Sequence, residues 1–184
     1  MGQGRCGPYR APPCEWRSHE DLDSHFIGSA VYIPEQETSA AISRWLVIDG
    51  QQRITTISLL LLALMRRLQA EGLDSPVSAA EVEDYYLRNR YGKGEQNYKM
   101  LLTKTDKDTL MALLDGKKEP EQASQRIVDN FAFFTDKIAT ADLDVVYTGI
   151  QKLMIVDVRL QQVRAKTRVL SLTTWEWATI SRKQ

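Results

Sequence analysis

Thiol and imidazole are scarce in this chain: it has two cysteines, Cys6 and Cys14, and two histidines, His19 and His25. No Cys-x-x-Cys pair occurs, and these four residues match no zinc-ligand spacing, so neither a structural metal nor a thiol redox centre is expected. Charge of one sign is lacking too. The 24 Lys and Arg balance the 24 Asp and Glu, which removes the bulk attraction that non-specific nucleic-acid binders use, though not a local basic patch. The longest apolar run, Leu59 to Met65, falls far short of the roughly 18 residues of a membrane span. No basic stretch followed by an apolar one marks a secretory signal, so a cytoplasmic location and no membrane partner are expected.

What is present is globular in character: 43% hydrophobic and 26% charged residues over 184 positions. A chain of this length makes one domain and buries roughly 70% of its unfolded surface. The first 24 residues are rich in Gly and Pro and predict an irregular arm. Phe26–Ile33 predicts a strand stopped by Pro34. Trp45-Leu46-Val47-Ile48 predicts a second one, and its unbroken apolar character suggests burial on both faces. Ile54 to Glu71 carries Leu59–Leu62, Leu64, Met65 and Leu68, apolar on nearly every face, as expected of a central helix ending at Gly72.

Ser78-Ala79-Ala80-Glu81 is a capping box opening a helix to about Arg90. A turn at Gly92-Lys93-Gly94 follows, then a short strand over Tyr98–Thr103 and helices over Asp106–Leu114 and about Glu121–Ala139. In the latter, Ile127, Phe131, Phe134 and Ile138 form one stripe. Val145–Lys152 predicts a further helix and Leu153–Val158 a third strand. From Arg159 onward six basic residues face one acid, Glu176; residues 161–184 read as an atypical basic tail, poorly packed around Trp175 and Trp177.

The segment that carries chemistry is Val47-Ile48-Asp49-Gly50-Gln51-Gln52-Arg53-Ile54-Thr55-Thr56: a strand, a tight polar turn and the first turn of a helix. A helix N-terminus presents unpaired N–H groups and a partial positive charge, which suits an anion. Gly50 admits close backbone approach, and Arg53 offers a planar fork that matches phosphate. Thr55 and Thr56 add hydroxyls; Gln51 and Gln52 can orient a water or read a base edge. Asp49 would repel phosphate unless magnesium bridges them or Arg53 pairs with it, and it could equally cap the helix. Elsewhere, Gly92-Lys93-Gly94 lacks Walker spacing and reads as a turn. Tyr85, Tyr86 and Tyr91 with Arg88 and Arg90 could stack on bases or form one helix face, and Phe131, Phe133 and Phe134 read as core.

The Ile48–Thr56 block, followed by its Leu-rich helix, resembles the signature of the GmrSD-type restriction endonuclease N-terminal family. His25–Val31 is similar to the family's preceding strand. Tyr98–Leu102, Asp129–Phe134 and Leu153–Val158 are similar to later landmarks, so the resemblance spans residues 25–160. It implies an α+β fold: a small ParB/sulfiredoxin-like sheet with a buried helix after the Asp-Gly-Gln-Gln-Arg turn, and a mainly helical insertion.

By the same resemblance, the chain is a nucleotide- or nucleic-acid-phosphate-binding part of a bacterial phage-defence system that cuts modified foreign DNA. Its cofactor would be a nucleoside triphosphate with Mg2+. Asp49, Gln52 and Arg53 would be the catalytic set, and Gly50, Gln51, Arg53, Thr55 and Thr56 the binding set. A non-enzymatic DNA-binding or regulatory module, or an inactive fragment, is the alternative. The family's opening Pro-x-Tyr-Gln-Arg-x-Tyr-x-Trp strand is reduced to Pro8-Tyr9-Arg10 and a distant Trp16, and residues 163–184 match none of its closing segment. No histidine follows His25, so truncation at both ends is expected, with any nuclease domain or subunit encoded elsewhere.

Overall fold

The computed structural model describes residues 23–35, 44–72 and 77–160, together with the backbone of 173–175. The architecture is α+β. In chain order the strands and helices are β1 (His25–Pro34), β2 (Trp45–Asp49), α1 (Gln51–Glu71), α2 (Ala79–Val82), β3 (Met100–Leu101), α3 (Lys104–Leu114), α4 (Gln125–Ala139), α5 (Leu143–Gln151), β4 (Leu153–Arg159) and β5 (Thr173–Trp175). One mixed sheet has the order β3-β5-β2-β1-β4. β1 pairs antiparallel with β2 and parallel with β4, so the chain leaves the sheet after β2 and returns to it through the helices.

Two irregularities break the ladder around β1. Its register with β4 shifts between Phe26 and Ser29, and its register with β2 shifts between Val31 and Tyr32. In the second, Val31 pairs with Asp49 and Tyr32 with Val47, leaving Ile48 as the extra residue. A bulge of this kind turns side chains off the regular alternation. Ile48 and Asp49 are accordingly both exposed, Ile48 at 45%. β2 is therefore not buried on both faces as its apolar run suggested; only Val47 is fully enclosed.

α1 is the centre of the molecule, as its leucines require: Leu59, Leu62 and Leu64 have no exposed surface. One buried cluster joins them to Ala30 and Val47 of the sheet and to Ile127, Phe131 and Ile138 of α4. Each such leucine stabilises the fold by about 1.5–3 kcal/mol through area removed from water. The two adjacent arginines in the C-terminal half of this apolar helix serve its neighbours. Arg66 donates to the carbonyl of Leu113 at the end of α3, and Arg67 to that of Ile138 at the end of α4. Helix C-termini leave such carbonyls without intrahelical partners, and a guanidinium both pairs with them and suits the local negative charge. Arg66 also lies over the Phe131 ring at 4.8 Å, and burial lowers its pKa.

The capping box at Ser78 and Glu81 forms in both directions. The helix it opens is short, however, passing into a π-turn over Glu83–Leu87 and stopping there rather than at Arg90. Arg88 adopts an extended conformation instead and bridges Tyr98 in an isolated β-bridge. Only Met100–Leu101 of the expected Tyr98–Thr103 strand pairs in the sheet. α4 begins at Gln125, later than about Glu121, and Phe133 is 54% exposed rather than core. α5 spans Leu143–Gln151 where a helix over Val145–Lys152 was expected. The expected basic tail contributes Thr173–Trp175 to the sheet, between β2 and β3. Cys6, Cys14 and His19 lie outside the described residues.

Candidate functional site

The turn between β2 and α1 rests on Gly50. Its φ of +90° is left-handed, a region glycine enters without penalty, and it is the N-cap of α1. Space selects glycine as well: a Cβ there would stand 2.8 Å from the Ser29 carbonyl oxygen and 3.1 Å from Ala30 Cα. The turn is thus pressed against the backbone of β1. α1 itself starts at Gln51, three residues before the apolar pattern begins, so Gln51, Gln52 and Arg53 form its first turn. The N-cap glycine offers no side chain to cap this end, no capping side chain is found among the described residues, and no acidic residue sits in the first turn. Asp49 therefore does not cap the helix.

Asp49 instead pairs with Arg53, whose Nη2 donates to Oδ2 at 3.2 Å. The pair is open to solvent, with side-chain exposures of 64% for Asp49 and 37% for Arg53, so its own contribution to stability is small, about 0–1 kcal/mol. Arg53 is placed chiefly by shape. Gly28 has φ +113° within the first irregularity of β1, and a Cβ there would lie 2.5 Å from Arg53 Nη1 and 3.0 Å from its Cζ. The guanidinium lies against bare backbone. Its Nε is buried and has no hydrogen-bond partner among the described residues.

The remaining predicted residues face elsewhere. Gln51, Gln52, Thr55 and Thr56 line a cleft of about 130 Å³ between α1 and α4, opposite Arg126 and Asn130, while neither Asp49 nor Arg53 lines it. Gln51 donates from Nε2 to the Val47 carbonyl at 2.9 Å, tying the helix start back to β2. The Thr55 and Thr56 hydroxyls donate at 2.8 Å to the carbonyls of Gln51 and Gln52, one turn back. Each hydroxyl thereby spends its proton inside the helix and keeps acceptor capacity outward. Thr55 is buried and Thr56 exposed. The seven residues so divide into an Asp49–Gly50–Arg53 ledge over β1 and a cleft-facing group.

The family model for the GmrSD restriction endonuclease, N-terminal domain, matches residues 16–172. The chain belongs to that family. No curated protein matches it, and no solved structure does. This GmrSD N-terminal domain accordingly belongs to a restriction, phage-defence system. Among the described residues of the domain, no helix is long and apolar enough to cross a membrane. None of its described His, Cys, Asp and Glu residues gather in threes that could hold a metal ion by themselves.

Sequence reasoning missed three residues of the site. Gly28 was visible only as one more residue of a strand, although an isolated glycine inside a strand pattern is a sign of a bulge or of close backbone approach. Arg126 and Asn130 sit on the polar face of α4, where nothing in the sequence distinguishes a cleft wall from an ordinary solvated surface. The tyrosine and arginine patch is partly structural. Arg88 binds Glu83 at 2.8 Å and Asp115 at 2.7 Å and stacks over Tyr98, whereas Tyr85 and Tyr91 are exposed.

Proposed function

We propose that the Asp49–Arg53 ledge binds the phosphates of a nucleoside triphosphate and that the intact restriction protein hydrolyses it when acting on modified foreign DNA. One observation carries the reading: Arg53 is fixed against the Gly28 backbone beside the uncapped start of α1. A guanidinium held there, with the first-turn N–H groups alongside, meets a phosphate with its geometry already set. Gln52, exposed in the same turn, is suited to orient the attacking water.

Asp49 fits magnesium that arrives with the nucleotide, since a Mg2+–phosphate complex asks the protein for only one or two carboxylates. Bound there, the ion would neutralise phosphate charge. Asp49 would then exchange its contact with Arg53 for the cation, leaving the Arg53 Nη2 group free for the phosphate. DNA and a nuclease domain or subunit encoded elsewhere are the partners this reading requires.

A second reading has its own support. The Asp49–Arg53 ion pair satisfies the carboxylate without any metal. A turn of that kind holds a DNA phosphate passively, as a binding or regulatory module. Triphosphate binding and turnover separate the two. With labelled nucleoside triphosphate and magnesium, Arg53→Ala should lose binding, and Gln52→Ala should bind but release no phosphate. Equal binding by wild type and Arg53→Ala would end the phosphate reading. Binding without turnover by wild type, alongside DNA retention that Arg53→Ala abolishes, would favour the passive module.

A further inference from the structure

The cleft on the other side of α1 differs in chemistry from the ledge. Among its described lining residues two are charged, Asp106 and Arg126, and they pair with each other at 2.8 Å. A cleft neutralised from within does not call for another phosphate. Two lining residues are apolar and buried, Leu102 and Ile127. The others present amides and hydroxyls, among them the exposed carboxamide of Asn130. Since Leu102 and Ile127 are themselves buried, the cleft wall is mostly polar, and the exposed carboxamides of Gln52 and Asn130 suit the polar edge of a heterocycle. A side-chain amide carries a donor and an acceptor side by side, the pattern that reads adenine or another base edge in pairs of hydrogen bonds.

The cleft and the ledge are joined by one turn of helix. At about 100° per residue, Arg53 lies roughly 130° round α1 from the mean direction of Gln51, Gln52, Thr55 and Thr56. A helix is about 10–12 Å across with its side chains, so a ligand crossing its N-terminal end from Arg53 to the cleft covers on the order of 10 Å. A nucleotide has that reach from phosphate chain to base.

Resting on the phosphate reading above, we infer that the cleft between α1 and α4 is the nucleobase subsite of the same nucleoside triphosphate, and that Asn130 is its base-reading residue. Gln52 stands between the two halves, next to Arg53 in the chain and within the cleft lining. The Arg126–Asp106 pair is the outer wall that keeps the subsite neutral.

The test compares the four nucleoside triphosphates with inorganic tripolyphosphate, by calorimetric titration of the full chain in magnesium. Wild type should hold at least one nucleotide about tenfold tighter than tripolyphosphate, the scale of one paired amide–base contact. Asn130→Ala should erase that advantage while tripolyphosphate binds as before. Asn130→Asp, which keeps the acceptor and loses the donor, should change the order of preference among the bases. Asn130 is exposed on α4, and thermal melting of both variants checks that the fold is intact. An unchanged nucleotide advantage in Asn130→Ala, or an equal loss of both ligands, overturns the inference. Tripolyphosphate bound by wild type as tightly as every nucleotide overturns it too, while leaving the phosphate reading in place. Failure of wild type to bind either ligand removes both.

Discussion

Arg53 occupies the space that any side chain on Gly28 would need: a Cβ there would stand 2.5 Å from Nη1. The two residues lie on different elements, and the bulge in β1 that carries Gly28 makes the ledge on which the guanidinium rests. Gly28→Ala should therefore displace Arg53 and, at φ +113°, also strain the backbone by about 1–3 kcal/mol. The expected outcome is loss of triphosphate binding comparable to Arg53→Ala, together with a lowered thermal midpoint. Titration of labelled nucleotide alongside a melting curve checks it; full binding in a folded Gly28→Ala variant would show that the ledge is not what positions Arg53.

Asp49→Asn removes the charge that pairs with Arg53 and that would meet magnesium. Without magnesium, the variant should bind triphosphate more tightly than wild type, because a carboxylate no longer repels it. With magnesium, the gain seen in wild type should disappear. Paired titrations with and without the cation measure this, and a magnesium response preserved in Asp49→Asn would remove Asp49 from the cation's environment.

Asp115 gives the fold an acid-sensitive joint. Burial acts to raise its pKa, but hydrogen bonds from Lys117, Arg88 and Tyr98 overcome that and bring it to about 2. The folded-state pKa is thus below the unfolded value of 3.8, so the stabilisation is complete above about pH 5 and is lost as the pH falls through 4 towards 2. At 1.36 kcal/mol per unit, the contribution is on the order of 2 kcal/mol. Urea unfolding across pH 2–6 should show this loss in wild type and a flatter profile in Asp115→Asn, which also starts less stable at neutral pH. Parallel profiles for the two proteins would rule out Asp115 as the source.

Leu62→Ala removes a side chain with no exposed surface at the centre of α1. The resulting cavity should cost about 2–5 kcal/mol in chemical unfolding. Leu60→Ala, only partly buried on the same helix, should cost less. A reversed order would contradict the placement of α1.

Much of this molecule was legible locally. The leucines of α1, the stripe Ile127–Phe131–Phe134–Ile138 and the box at Ser78 and Glu81 are patterns within a few turns of one helix, and they fold as read. The β2 pattern misled because burial on both faces depends on what covers the strand and on a register shift, neither of which its five residues encode. The same division runs through the site. The Asp49–Thr56 block marked the turn, because strand, glycine turn and helix start are consecutive.

By itself, then, the sequence determined the family signature, the central helix and the residues of its first turn, all of them set by interactions between near neighbours in the chain. Tertiary structure alone decided that Gly28 lies beneath the Arg53 guanidinium and that Arg126 and Asn130 face Gln52 and Thr56 across a cleft. Those relations join β1, α1 and α4, elements brought together by burial of a shared apolar core, and that burial is non-directional. The local pattern states that a face is buried; only the assembled packing states against what.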